Sequence, residues 1–202
     1  MSARVHFPPV IFGTTALGNI YEEIPYATKL AIMKECVQNA PGGLLMFDSA
    51  GKYGAGLALE VLGQCLDELG VAPENVIISN KLAWYRVPLT GPESTFEPGV
   101  WHNLKHDAVQ KISYQGILEC YEQGNELLGK YSTQTASVHD PDEYLAAAVD
   151  EADDKKRFQD ILDAYKALQE LKAAGKISSV GVGAKNWRSI ERIAQQVDLD
   201  WV

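Results

Sequence analysis

Cysteine and histidine are both scarce in this chain of 202 residues, which has three Cys and four His. Cys36, Cys65 and Cys120 are an odd number without paired spacing, so no disulfide framework is indicated. They read as reduced, small apolar residues, and the expected setting is the cytoplasm. His102 and His106 are four apart and could share a helix face. Without a Glu after the first His or a third nearby ligand, no metal site is expected. Cationic surplus is missing too: 18 Lys and Arg stand against 27 Asp and Glu, a formal charge of −9. Such a chain has no excess of positive charge with which to displace counterions from phosphates, so nucleic acid is not the expected partner. No apolar run approaches the roughly 18 residues of a membrane span, and the opening MSARVHFPPV lacks the apolar stretch of a signal peptide. Several motifs are absent as well. Gly181-Val182-Gly183 does not extend to a dinucleotide fingerprint because Asn186 holds its last position, and Gly51-Lys52-Tyr53 lacks the rest of a P-loop. Gly-x-Ser-x-Gly is not present, which weakens a hydrolase reading of His139 with Asp140.

What is present is ordinary globular material, with 46% hydrophobic and 22% charged residues. That length suits one domain or at most two. Short apolar runs alternate with stretches of helical period. Candidate strands are 10–17 (VIFGTTAL), 44–50 (LLMFDSA), 76–82 (VIISNKL), 133–139 (TQTASVH) and 179–183 (SVGVG), and Asp200-Trp201-Val202 looks like the opening of a sixth. Near-continuous apolar runs suit strands buried on both faces of a parallel sheet. Helices fit at 27–40, 57–69, 158–174 and 187–196, with Gly70 and Gly175 as stop signals. Strand–helix alternation implies parallel strands with right-handed crossovers. An open six-stranded sheet and a (β/α)8 barrel lacking its last units both fit, and pattern alone leaves the choice open. The segment from about 83 to 107 breaks the rhythm. It carries Pro88, Gly91, Pro92, Pro98 and Gly99 among four aromatics, Trp84, Tyr85, Phe96 and Trp101. It reads as an ordered lid without secondary structure of its own. The charge run 150–157 reads as a solvated loop and helix start.

Polar residues gather at predicted strand ends. Asp48 closes the second run with Tyr53 five residues later, Lys81 closes the third and His139 the fourth. In a parallel α/β fold those ends share one face, so the four converge on one pocket mouth. Each has an ordinary explanation when taken singly: a turn-bonding Asp, a loop Tyr, a snorkelling Lys, a strand-end His. As a set they suit proton exchange at oxygen. A Lys at a buried strand end wants a carboxylate, and Asp48 is available. An ammonium favours a neighbouring phenolate, a Tyr so placed is a usable general acid or base, and a neutral His can orient a carbonyl oxygen.

These residues resemble a known family. FGTTALG, FDSAGKYG, SNKL, SVHD and SVGVGAKNW, with Asp48, Tyr53, Lys81 and His139 in order, are similar to the aldo-keto reductases and their catalytic tetrad. The His139-Asp140 pair and the Pro-rich insertion look most like the sugar and pyridoxal dehydrogenase branch, including L-fucose and D-threo-aldose dehydrogenases. The resemblance implies a (β/α)8 TIM barrel, present here as about six βα units, and NAD or NADP as cofactor. It implies hydride transfer between nicotinamide and an aldehyde or aldose, with a lactone as product in the oxidative direction. By it Tyr53 is the proton donor or acceptor, Lys81 and Asp48 tune it, and His139 orients the substrate. Gly13, Thr14, Thr15, Asp48 and Asn186 are the implied cofactor contacts, with backbone at Gly183 or Ala184 as an alternative to Asn186. Trp84, Tyr85, His139 and Asp140 are the implied substrate contacts, and the partner is a small molecule, with monomer or homo-oligomer left open. The family's remaining cofactor-binding segments would follow Val202. The chain is therefore expected to be part of a longer polypeptide, inactive alone; a non-catalytic, cofactor-binding regulatory subunit is the other reading.

Overall fold

The computed structural model describes residues 7–202. In chain order its elements are β1 (Phe12–Gly13), α1 (Tyr26–Asn39), β2 (Leu45–Ala50), α2 (Leu57–Glu68) and β3 (Val76–Leu82). There follow β4 (Trp84–Pro88), β5 (His106–Gln110), α3 (Tyr114–Leu128), β6 (Thr135–His139), α4 (Pro141–Ala146), α5 (Glu151–Ala173), β7 (Ser179–Gly183) and α6 (Trp187–Ala194). Five strands form a parallel sheet in the order β1-β2-β3-β6-β7, and β4 pairs antiparallel with β5 as a separate hairpin.

The two faces of the parallel sheet differ in chemistry. Phe47, Ile78, Ala136, Val138, Val180 and Val182 are fully or almost fully buried and pack toward the helices. They meet Leu59, Leu62 and Leu66 of α2 and Ile161, Tyr165 and Leu168 of α5. Each such large side chain contributes roughly 1.5–3 kcal/mol by leaving water. The alternate positions, Met46, Asp48, Ser79, Lys81 and His139, line a cavity on the opposite face. Period-two alternation thus separates a dry face from a chemical one.

Among the described residues the sheet is a partial (β/α) barrel that does not close. The expected sixth strand is represented by one parallel bridge between Gly181 and Trp201. Three strands are shorter than expected, β2 by the single residue Leu44. β1 stops at Gly13 because the backbone leaves the extended conformation at Thr14 (ψ 11) and Thr15–Gly18 coils into a 3₁₀ turn, while the Thr14 amide and hydroxyl both still donate to the Asp48 carbonyl. β6 begins at Thr135, two residues late.

The 83–107 segment is corrected by the structure: it has secondary structure of its own, the β4–β5 hairpin, with Trp84 opposite Gln110 and Pro88 opposite His106. Proline is tolerated there because Pro88 ends the strand. Helices α3 and α4 stand where no helix was expected. The 150–157 charge run forms the first turns of α5, which Asp150 caps by accepting the Asp153 amide. Its i, i+4 ion pairs Glu151–Lys155 and Asp153–Arg157 support those turns.

Candidate active site

Sheet register explains how distant residues come together. Asp48 lies opposite Ser79, Lys81 opposite Ser137, and His139 opposite Gly183. Asp48, Lys81 and His139 therefore step across three adjacent strands on one face. Tyr53 arrives from the loop after β2, where Gly54, Ala55 and Gly56 all have positive φ. That left-handed run suits glycine and strains an alanine, and Ala55 is held in it with no exposed surface.

The four side chains meet at a cavity of about 850 Å³, which all of them line. Lys81 Nζ is ion-paired with Asp48 and sits 5.0 Å from the centroid of the Tyr53 ring. Ser79 Oγ donates to the other Asp48 oxygen at 3.1 Å. The His139 ring meets the Tyr53 ring edge-on, with centroids 5.6 Å apart at 89°. His139 is 4% exposed. Burial, reinforced by the ammonium groups of Lys81, Lys52 and Lys185, drives its pKa well below the ordinary histidine value. It is a neutral imidazole near neutrality, and its Nδ1 is buried without a hydrogen-bond partner.

The other expected site residues divide. Gly13, Thr15 and Asp140 line the cavity. Thr14 lies beneath it, its hydroxyl engaged by the Asp48 carbonyl. Asn186 is outside the lining. Its side chain caps α6 by accepting from the Arg188 amide, while Gly183, Ala184 and Lys185 form the wall. Trp84 and Tyr85 are also outside it. Trp84 packs on Phe96 at 5.5 Å, and the Tyr85 ring lies under Lys111 Nζ at 4.2 Å.

Against this geometry, comparison with known proteins is decisive. The sequence profile of the aldo/keto reductase family matches residues 9–202. The chain belongs to the aldo/keto reductase family. This aldo/keto reductase chain is 30% identical over 200 residues to pyridoxal 4-dehydrogenase of Microbacterium luteolum, covering 93% of itself and 55% of that protein. It is 23% identical over 209 residues to D-threo-aldose 1-dehydrogenase of a Pseudomonas species, covering 100% of itself and 57% of that protein. The chain spans about half the length of the curated relatives it matches. The fold is shared with the glycerol dehydrogenase of Gluconobacter oxydans, at TM-score 0.62 and 19% identity over 94% of this chain and 49% of the other. It is shared also with a Klebsiella pneumoniae aldo-keto reductase solved in complex with NADPH, at TM-score 0.59 and 17% identity over 95% and 51%.

Lys52, Glu97 and Trp101 line the cavity of this aldo/keto reductase chain although the sequence reading assigned them no place in the site. Lys52 lines the cavity at 5% exposure, with its Nζ 2.7 Å from Glu97, 3.4 Å from Asp140 and 3.6 Å from Glu143. Burial, the largest single influence, opposes its charge, but the three carboxylates together outweigh it and raise the pKa. Its partners come from the hairpin loop and from the turn into α4, so no local pattern announces it. Trp101 was noted only as an aromatic of the insertion. It stands 6.0 Å from the Tyr53 ring, with its Nε1 donating to Glu97 at 2.7 Å. No helix among the described residues is long and apolar enough to cross a membrane.

Proposed function

We propose that the chain carries the proton-handling centre of an NAD(P)-dependent oxidoreductase acting on an aldehyde or aldose, with sugar 1-oxidation to a lactone as its favoured direction. The observation that carries this reading is the meeting of Tyr53, Lys81, Asp48 and a neutral His139 on one cavity wall. The two curated relatives, both named dehydrogenases, support it.

The lining fits the ring end of a nicotinamide cofactor. A Cβ at Gly183 would stand 2.7 Å from Lys81 Cδ, so only a glycine lets the Lys81 side chain lie against that strand on the cavity face. Gly13 is bare, with nothing within 4 Å of a Cβ built on it, so a flat ring can approach the backbone there. Gly13, Thr15, Gly183 and Ala184 would hold that end, and bound nicotinamide would supply a hydride acceptor or donor.

Tyr53 handles the proton. In the oxidative direction its phenolic oxygen takes the proton of the anomeric hydroxyl while the C1 hydrogen leaves as hydride, and the sugar becomes a lactone. The Lys81 ammonium, fixed by Asp48, stabilises negative charge on that oxygen. Neutral His139 hydrogen-bonds the reacting oxygen and keeps it facing Tyr53. In the reductive direction Tyr53 returns the proton to the carbonyl oxygen.

The test is hydride transfer followed at the nicotinamide absorbance with L-fucose and NAD or NADP. Tyr53→Phe is expected to lower kcat by about 10²- to 10⁴-fold, the usual worth of a positioned acid or base. A variant with undiminished turnover removes Tyr53 from the chemistry and with it this reading. Three free thiols, Cys65 and Cys120 among them buried, support a reducing, cytoplasmic setting.

A further inference from the structure

Three nitrogens converge on a single atom, Oδ2 of Asp140. Lys52 Nζ stands 3.4 Å from it, Lys185 Nζ 3.5 Å and His139 Nε2 3.6 Å. They arrive from separate elements: Lys52 from the loop after β2, His139 from the end of β6, and Lys185 from the turn after β7. An imidazole this close to a buried carboxylate ordinarily gains a proton, because an opposite charge within about 4–6 Å favours the charged form by roughly 1–3 pH units. His139 and Asp140 alone would therefore form an ion pair. A cation on the same oxygen removes that incentive, since it has already neutralised the carboxylate.

Of the ammonium groups around His139, Lys52 is the one placed for this task. Lys81 is matched by Asp48 on the adjacent strand. The Lys185 side chain is 71% exposed, so water screens it, and it is hydrogen-bonded to Glu143. Lys52 is buried, and Glu97 fixes its position. One Glu97 oxygen accepts from Lys52 Nζ at 2.7 Å and the other accepts from Trp101 Nε1 at 2.7 Å. The Glu97 side chain is 37% exposed and shares its charge with water, whereas that of Asp140 is 9% exposed. Asp140 is thus the carboxylate that depends most on Lys52. Tyr53, the remaining titratable neighbour of His139, meets it ring against ring edge. Burial disfavours an imidazolium most, and Lys81, Lys52 and Lys185 each disfavour it further.

We propose that Lys52, oriented by Glu97, is a positioning residue: by occupying Asp140 it keeps His139 a neutral imidazole, free to hydrogen-bond the reacting oxygen. What that hydrogen bond accomplishes rests on the oxidoreductase reading, whereas the ionisation state of His139 does not. Lys52 precedes Tyr53 directly, so one loop delivers both the proton-handling phenol and the charge that keeps its neighbour neutral. Without the ammonium, Asp140 and His139 pair with each other.

The experiment is an imidazole NMR titration of the full chain without cofactor or substrate, with His139 assigned by the signal lost in His139→Gln. In the unaltered chain the His139 midpoint is expected below 6.5 despite the neighbouring carboxylate. Lys52→Met is expected to raise it by about one pH unit or more, a tenfold gain in proton affinity. Lys52→Arg keeps the charge and is expected to leave the midpoint unchanged. Adding Asp140→Asn to Lys52→Met is expected to cancel most of the rise, because no carboxylate then faces the imidazole. The proposal is overturned by an unmoved midpoint in Lys52→Met, by an equal rise in Lys52→Arg, or by a rise that survives in full beside Asp140→Asn. An unaltered His139 that titrates at or above 6.5 also overturns it, and that reading requires no variant to fold. No turnover enters these measurements, so the two readings fail separately. A chain with the expected midpoints and no hydride transfer refutes the oxidoreductase assignment alone. One that transfers hydride with an unmoved midpoint in Lys52→Met refutes the role of Lys52 alone.

Discussion

Tyr53 owes its position to a backbone contact that can be tested with three alanines. Gly54 has φ +61, and a Cβ there would stand 2.3 Å from the Gly18 carbonyl oxygen. Gly54→Ala therefore carries two penalties: about 1–2 kcal/mol for a left-handed non-glycine residue, and about 1–3 kcal/mol for forcing an atom into packed backbone. Each penalty can be isolated. Gly70 has φ +67 but open space around its Cβ position, so Gly70→Ala carries the first alone. Gly18 lacks a positive φ, but its Cβ would lie 2.8 Å from the Tyr53 carbonyl carbon, so Gly18→Ala carries the second alone. Urea unfolding should rank Gly54→Ala as the most damaging, at about 2–5 kcal/mol, a Tm loss of roughly 2–4 °C per kcal/mol for a chain of this size. Gly18→Ala and Gly54→Ala should also displace Tyr53 and lower turnover, whereas Gly70→Ala leaves it unchanged. If Gly54→Ala proves no more costly than Gly70→Ala, the close approach of the two loops does not hold Tyr53, and the reasoning fails.

Two further perturbations probe buried polar groups. His139 stays neutral in the folded chain to well below 6.5, so between that depressed value and 6.5 the unfolded chain binds a proton that the native chain does not. Stability should fall as pH drops through this window, with a contribution from His139 of up to about 1.4 kcal/mol per pH unit. His139→Gln should flatten the acid limb of a stability–pH curve, and superimposable curves would disprove the assignment. Lys29 is 4% exposed, and its Nζ donates to the Leu17 carbonyl at 2.9 Å and to Asn19 Oδ1 at 2.6 Å. Lys29→Met strips donors from these acceptors and should cost about 1–3 kcal/mol in chemical denaturation. Lys34→Met, on the exposed face of the same helix, should be near neutral.

Much of this arrangement was legible from residue order. Asp48, Lys81 and His139 each close an apolar run, and parallel strands must bring such ends to one face. The expected Lys81–Asp48 pairing is present because both side chains point off the same face of adjacent strands. Less was legible where burial depends on contacts remote in sequence. Helix α3 hides its stripe of Ile117, Cys120, Tyr121, Gly124 and Leu128 behind small residues. Gly124 is there because a Cβ would meet the buried Asn80 amide at 2.6 Å, a fact invisible until β3 and α3 are packed. The β4–β5 hairpin was obscured by the prolines and glycines that also make its long loop. Lys52 beside a loop tyrosine carries no periodic signal, and its burial follows only from the return of the hairpin and the turn into α4.

The candidate site does not depend on closure of the sheet into a barrel. Asp48, Lys81, His139 and Gly183 sit on β2, β3, β6 and β7, which are contiguous neighbours with unbroken parallel register. Tyr53 is fixed from the β2 side by the Gly18–Gly54 contact, and Lys52 ties the same loop to Asp140 and Glu97. This corner of the cavity is therefore assembled by local strand pairing and two loop contacts, each within the described residues. Trp201 marks the boundary of that self-sufficient part. Its ring lies against the bare backbone of Gly181, within 2.2 Å of where a Cβ would be, and its Nε1 donates to Ser179 Oγ at 3.2 Å. It covers the chemical face at the β7 edge as an inward-facing side chain of a further strand would. The groups of the candidate site are consequently set by the register of adjacent parallel strands.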